Sequence, residues 1–395
     1  MKKKLAFLFM GMLLLSACSA APKGSGTAGS ATADGGNKQS GDTIKLGMNM
    51  ELSGDVSAYG NQEKEGIEMA VAEINEAGGI DGKQIELITK DNKSNSTEAV
   101  SVTTSLATQD QVVAILGPAT SGAVKAALPN ATKVQVPLVT PSGTDDSITL
   151  QDGKVQEYAF RTCFQDSFQG KVLAVYAHET LKTDKAVILG DNSSDYAKGL
   201  TKAFKDAYEG EIVAEENFTK GDKDFQAVLT KIKDKDFNVM YLPGYYGETG
   251  LITKQAREMG IDVPILGPDG FSDPKYVEIA GKENVNDIYY ASHFSTKVDA
   301  SEKVTTFIDA FKTKYGKEPS SFNALSYDAV YMVKQAIEEQ GSADSTAITK
   351  GLAELKDFEG VTGKMTIDKD HNPEKSAVVL GMQEGVEASA DVVNP

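Results

Sequence analysis

Two short turns hold the residues best suited to gripping a ligand: Gly117-Pro-Ala-Thr-Ser121 and Thr140-Pro-Ser-Gly-Thr144. Each joins a hydroxyl to small residues that let the backbone approach a bound molecule. Each follows an apolar run, residues 112–116 and 136–139, with the length and β-branched content of a buried parallel strand. In an open α/β sheet, ligands bind in the crevice outside the carboxyl ends of the strands. Both turns lead towards helices, so free N–H groups and positive helix ends would face that crevice. Ser121 and Thr144 would add hydroxyls, and the chemistry offered is a seat for a small anion, most simply a carboxylate. The competing reading is that Ser121 and Thr144 merely cap their helices. The residues alone leave the two readings balanced.

The elements that must carry these turns form a repeating pattern. Residues 44–50 read as a strand and residues 51–60, with Tyr59, as the loop after it. Ile67, Ala70, Val71 and Ile74 give the next segment one apolar helical face, which Gly78-Gly79 ends. A strand at 85–88, a helix from Ser96 to about residue 108 and the strand at 112–116 complete a β-α-β-α-β alternation with short links. That alternation predicts a parallel, doubly wound sheet. The pattern recurs over 164–294, with strands at 186–189, 212–218, 239–242 and 264–266. Here Asp166, Tyr196, Tyr245 and Asp269 follow strands and would face one crevice. A lone Asp in such a place is commonly a turn or cap residue. Helices are expected over 301–315, 323–339 and 346–355, then strands over 364–368 and 376–382. Asp368-Lys-Asp-His-Asn372 lacks the Gly and closing Glu of a calcium loop and reads as a hairpin turn. His178, His293 and His371 have no metal-ligand spacing. No cofactor or metal is implied.

The N-terminus reads as an address. Three Lys precede an apolar run over 5–15 and then Leu15-Ser16-Ala17-Cys18, the order of a secretory signal. The run is shorter than the roughly 20 residues a spanning helix needs. It resembles a bacterial lipoprotein signal, in which residues 1–17 are removed and Cys18 is lipidated. Residues 18–43 are rich in Gly, Ser, Ala and Thr and read as a flexible tether. Their G-x-G-x-x-G at 24–29 has no strand before it and no helix after it, so it is no dinucleotide site. Removing residues 1–17, with three Lys and no acid, takes the net charge from −17 to −20. So acidic a chain is a poor nucleic-acid binder. Only Cys18 and Cys163 are present, so lipidation of Cys18 leaves no intramolecular disulfide. About 350 residues then suffice for two domains with their own cores.

Strings along most of the chain resemble one family: LSGDVSAYG with AVAEINEAGGIDG, GPATSG with PLVTPSGT, then RTCFQDSFQG, DYAKGL, PGYYGETG, GPDG and PSSFNALSYDA. They resemble the leucine/isoleucine/valine-binding proteins of branched-chain amino-acid ABC importers, from about residue 44 to 393. The resemblance implies a type I periplasmic binding protein fold: two doubly wound α/β lobes joined by three crossings, with the ligand between them. It implies lobe 1 over 44–163 plus 295–358, and lobe 2 over 164–294 plus 359–395. It implies that Ser121 binds an α-carboxylate and that Thr144, with Ser142 and Gly143, completes that seat. Asp269 would meet the α-ammonium; many members have Glu there, so its shorter reach is a departure. Tyr196 would close over the head group from the second lobe. Tyr59, Tyr245 and Phe322 would shape the side-chain pocket, and Asp166 would lie at the crossing. A disulfide held by some Gram-negative members is absent, since Lys93 and Thr120 occupy the matching positions.

The expected function is therefore a non-catalytic, monomeric binding protein outside the cytoplasm, lipid-anchored to a Gram-positive cell surface. It would capture Leu, Ile or Val by hinge closure and pass it to an ABC permease. A hydrolase using Ser121 or Ser142 would need a base, and no His lies in the post-strand turns expected to line the crevice, nor is there a G-x-S-x-G turn. A ligand-sensing receptor of the same fold, or a binding protein for another small amino acid or amide, stays open.

Overall fold

The computed structural model describes residues 35–38, 41–298 and 301–394. The expected signal segment, Cys18 and the glycine motif at 24–29 lie outside the described residues. In the first lobe, strands β1 (Thr43–Met50), β2 (Gln84–Asp91), β3 (Ala114–Leu116) and β4 (Leu138–Thr140) precede a small hairpin, β5 (Leu150–Gln151) and β6 (Lys154–Val155), and then β7 (Ala159–Arg161). The sheet order is β2-β1-β3-β4-β7, parallel throughout. Helices α1 (Ser57–Glu76), α2 (Ser96–Thr108) and α3 (Ser121–Lys133) form the crossovers. Covered on both faces, β3, β4 and β7 are buried at every residue.

The second lobe contains β8 (Lys185–Asp191), β9 (Glu211–Phe218), β10 (Val239–Tyr241), β11 (Ile265–Gly267) and β12 (Ile288–Ser292), with α4 (Asp166–Val175), α5 (Asp195–Ala207), α6 (Gln226–Lys233), α7 (Tyr246–Glu258) and α8 (Pro274–Ala280) between or beside them. The chain then forms α9 (Glu302–Tyr315), α10 (Ser321–Gln340) and α11 (Ser345–Ala353). Helix α10 packs along α1. Gly66 permits this approach, since a Cβ there would lie 2.2 Å from the Asn323 carbonyl oxygen. Strands β13 (Phe358–Gly360), β14 (Gly363–Ile367) and β15 (Pro373–Glu374) form their own sheet before β16 (Ala377–Gln383) and β17 (Val386–Val393) join the second-lobe sheet. That sheet runs β17-β16-β12-β11-β10-β8-β9. Its strands are parallel except β16, which runs antiparallel to both of its neighbours, β12 and β17.

The chain thus passes between the lobes three times. Residues 358–374 do not enter the second sheet, although 359–395 was expected there as a block. Asp328 of α10 holds the N–H groups of Val361 and Thr362 at 2.8 and 2.9 Å. Lys375 Nζ donates to the Thr162 carbonyl at 3.1 Å and to Thr362 Oγ1 at 2.7 Å, tying the first and third crossings together. Burial lowers the Lys375 pKa to about 8 despite the Asp328 charge. The strands β12 and β17 were not foreseen. β17 has a mostly exposed face and no apolar run, so it carries little of the burial signal that marks a strand in sequence.

Candidate functional site

Both sheets repeat one strand order, and each has a switch point where neighbouring strands send their connections opposite ways: β1/β3 in one lobe, β8/β10 in the other. Such points open a crevice at the strands' carboxyl ends. The loops after these four strands meet around a small, tightly closed chamber. Tyr59, Ala119, Thr120, Ser121, Ser142 and Phe322 line it from the first-lobe side, and Tyr196, Tyr245, Asp269 and Gly270 from the second. Of the expected site residues, Gly143, Thr144 and Asp166 are not among the lining residues. Tyr59 lies in the first turn of α1 rather than in the loop before it. Its hydroxyl donates to the Gly270 carbonyl at 2.9 Å and accepts the Tyr246 N–H at 3.2 Å, bridging the lobes. Its ring meets Phe322 at 4.8 Å and Tyr245 at 5.9 Å, and Tyr245 stacks on Tyr196 at 5.0 Å.

Ser121 is the first residue of α3, and Thr120 is the N-cap. The capping reading therefore does not describe Ser121. Its Oγ accepts the N–H groups of Thr144 and Asp145, each at 3.2 Å. A hydroxyl has two acceptor sites and one hydrogen. With both acceptor sites used, the Ser121 hydrogen is left to donate, and Ser121 lines the chamber. Thr144 is likewise no cap, since Asp145 caps the next short helical turn, its side chain accepting the Ser147 N–H. The expectation of free N–H groups needs correcting. Glu51 takes the N–H groups of Ala119 and Thr120 at 3.0 and 3.1 Å, and Thr140 Oγ1 takes that of Gly143 at 2.8 Å. Thr144 backs Ser121 through its N–H and Gly143 meets Arg161 through its carbonyl; neither lines the chamber. Beneath them the fully buried Arg161 donates through Nη1 to the carbonyls of Gly143 and Asp145, both at 3.1 Å. A guanidinium held by carbonyls polarises those peptide units and fixes the turn.

On the other side, Asp269 opens the turn after β11. Its Oδ1 accepts the Tyr196 hydroxyl at 2.5 Å and Gln169 Nε2 at 3.1 Å, while its N–H donates to Gln169 Oε1 at 3.1 Å. The other Gln169 hydrogen goes to Asp166 Oδ1 at 3.0 Å. Asp166 is thus a layer behind Asp269. Burial, then the nearby Asp269 charge, pushes its carboxyl well above the ordinary range. His293 Nε2 lies 3.5 Å from Asp269 Oδ2, and its ring stacks on Phe164 at 3.6 Å. Burial lowers its pKa to about 4 against the opposing pull of Asp269, so the imidazole is neutral near pH 7. His293 directly follows β12 and lies behind Asp269 without lining the chamber. It was missed because β12 was missed. Gln169 had a visible signal, standing three residues after Asp166 on the same helix face. Cys163, at the first crossing, is buried, and burial raises its thiol to about 12. Among the described residues no group of three or more His, Cys, Asp or Glu could hold a metal ion.

With this geometry in hand, the chain can be set beside known proteins. A family profile described as periplasmic binding protein matches residues 43–386. Leu/Ile/Val-binding protein homolog 3 of Brucella melitensis is 33% identical over 327 residues, covering 82% of this chain and 86% of that protein. The leucine-, isoleucine-, valine-, threonine- and alanine-binding protein of Pseudomonas aeruginosa is 30% identical over 332 residues, 83% of this chain and 86% of that protein. Among solved structures, the branched-chain amino acid transporter substrate-binding protein LivJ of Streptococcus pneumoniae, in complex with isoleucine, is 53% identical with a TM-score of 0.86. The match covers 89% of this chain and 100% of LivJ. The leucine-binding protein LivK of Thermotoga maritima is 33% identical with a TM-score of 0.84, covering 89% and 99% of the two chains.

Proposed function

The chain belongs to the periplasmic binding protein family, and from that premise we propose that it binds Leu, Ile or Val outside the cytoplasm and delivers it to an ABC permease. The observation that carries this reading is the pairing, in one enclosed chamber, of the donor-only Ser121 hydroxyl with the Asp269 carboxylate. A zwitterionic head group needs one of each. Ser121 donates to the ligand carboxylate, and the 142–144 turn holds Ser121 in place. Asp269 pairs with the ammonium, held by Tyr196 and Gln169, with Asp166 behind. Tyr59, Tyr245 and Phe322 enclose the aliphatic side chain. Among the described residues no His stands beside Ser121 or Ser142, and the carboxyl that meets Ser142, Glu63, is pushed by burial well above the usual carboxylate range, so the role we propose is binding without catalysis.

Hinge closure is the mechanism. A ligand touching both lobes stabilises the closed arrangement over the open one. Contacts at the cleft edge favour the same arrangement: Lys220 pairs with Asp55 at 3.2 Å and Tyr246 donates to the Asp55 carbonyl at 2.9 Å. The lobes in this reading are 44–163 plus 295–358, and 164–294 plus 359–395, with 358–374 acting as part of the joint. Cys18 carries the lipid, and residues 18–43 tether a monomer to the outer face of the cell membrane.

A melting screen over the common amino acids tests the proposal. Ligand at about 1,000 times its dissociation constant adds roughly 4 kcal/mol. Stabilisation by Leu, Ile and Val, with none by Lys or Glu, is the expected outcome. Stabilisation by a charged amino acid alone would overturn the ligand assignment.

A further inference from the structure

Glu63 lies one helical turn after Tyr59 on α1 and is fully buried. Its carboxyl meets the Ser142 hydroxyl, and its Oε2 has no hydrogen-bond partner among the described residues. Ser142 Oγ also lies 2.9 Å from the Ala119 carbonyl oxygen. A carbonyl and an ionised carboxylate are both acceptors, and Ser142 has one hydrogen to give. An ionised Glu63 would therefore leave one of these two contacts as oxygen against oxygen with no proton between them. A proton on Glu63 completes the set: Glu63 donates to Ser142, and Ser142 donates to Ala119. The charged groups facing Glu63 are the carboxyls of Glu51, from the loop after β1, and Asp269, from the turn after β11. Both oppose its ionisation. Burial pushes its carboxyl well above the usual range, and the Ser142 bond only partly offsets this.

We propose that Glu63 is an un-ionised carboxylic acid and a specificity-determining positioning residue: it fixes Ser142 by donating to it and keeps a second negative charge away from the chamber. Among the described residues, Asp269 is the only acidic side chain lining that chamber. One carboxylate there matches one ammonium. A second, ionised at Glu63, would favour ligands with two positive charges. This selectivity rests on the amino-acid reading above; the protonation of Glu63 does not.

The test labels the glutamate side-chain carboxyl carbons with carbon-13 and follows them by NMR near neutral pH. One resonance should have the shift of an un-ionised carboxyl, be absent in Glu63→Gln, and move in Ser142→Ala. Any such signal from Glu387, whose carboxyl burial also raises, should persist in both variants. In parallel, calorimetry with Leu should find Glu63→Gln within about threefold of the parent, because the amide still donates. Glu63→Ala should lose about tenfold, the loss of one buried hydrogen bond. Lys should stay unbound by Glu63→Gln. An ionised Glu63 resonance overturns the proposal even if Leu binds. An un-ionised resonance in a protein that binds no amino acid overturns the functional reading and the selectivity drawn from it, leaving the proton assignment standing. Equal affinity losses in Gln and Ala variants overturn the positioning role.

Discussion

On its first-lobe side the chamber presents hydroxyls and closely fitted backbone, whereas on its second-lobe side it presents a carboxylate steadied by Tyr196 and Gln169. The two sides handle charge in opposite ways. In the first lobe the ionisable groups lie behind the wall: Arg161 under the 142–145 turn, Glu51 on the N–H groups of Ala119 and Thr120, Glu63 behind Ser142. In the second lobe, Asp269 is itself part of the wall. In the proposed role, one side would recognise by direction, through a hydrogen aimed by two backbone donors, and the other by charge. Direction and charge differ in energetic scale, so substitutions on the two sides should differ measurably.

The largest effect belongs to the charged side. Asp269→Asn removes one partner of a buried ion pair, a loss of about 3–5 kcal/mol, or a few hundred-fold or more in affinity. It should weaken Leu, Ile and Val alike in calorimetry, with the melting temperature of the unliganded protein little changed. Unchanged affinity would show that charge does not dominate the second-lobe side.

Next in size is the pH dependence contributed by His293. Its folded pKa of about 4 lies below the ordinary value of 6.5. Between those values the unfolded chain binds a proton that the folded chain refuses. Stability from this group is therefore full above about pH 6.5 and falls as the pH drops towards 4. Several other buried carboxyls shift the opposite way, so the readout is a difference: the acid loss of stability should be shallower in His293→Phe than in the parent. Parallel curves would mean that His293 is protonated beside Asp269 and belongs to the charged system.

On the directional side, Ser121→Ala should cost about 1.5–3 kcal/mol, the range for a hydrogen bond to a charged group. The comparison sharpens with leucinol, which has no carboxylate. Its affinity should be nearly unaffected by Ser121→Ala and strongly reduced by Asp269→Asn. If both variants weakened Leu and leucinol equally, the division of labour between the two sides would be wrong.

The legible parts of this site were those carried by local pattern. The βα alternation located the turns after β1, β3, β8 and β11, and with them Tyr59, Ser121, Tyr196 and Asp269. Direction within a turn was less legible. Ser142 faces the chamber while Gly143 and Thr144, one and two residues on, face Arg161 and Ser121. A shift of one residue reverses what a side chain meets, and the composition of the turn does not encode it. The buried polar supports were not legible at all. Nothing in the local pattern singles out Arg161 or Glu63 until the fold brings 142–145 against both. Their roles depend on which distant groups they meet, and a pattern of hydrophobicity is silent on that.

The smallest expected effect tests whether the two sides are coupled only through ligand. Lys125 of α3 bonds Asp145 in its own lobe at 3.2 Å and Asp195 of α5 at 2.9 Å, across the cleft. Burial opposes the Lys125 charge, but the two carboxyls raise its pKa overall. The ammonium and Asp195 remain partly open to water, with side chains 30% and 48% exposed. Such pairs contribute about 0.2–1 kcal/mol and weaken with salt. Lys125→Ala should therefore reduce Leu affinity by less than about fivefold. Because the bond exists only when the lobes meet, most of that loss should appear as faster release, measured by stopped flow. Asp145 still accepts the Ser147 N–H at 2.8 Å, so the turn that aims Ser121 keeps its shape. The difference between parent and variant should vanish in about 1 M salt, where the screening length is roughly 3 Å. A loss that persisted there, or that matched Ser121→Ala, would mean Lys125 acts by aiming the Ser121 turn through Asp145. Direction on the first-lobe side would then depend on a cation at the cleft edge as well as on Arg161 beneath it.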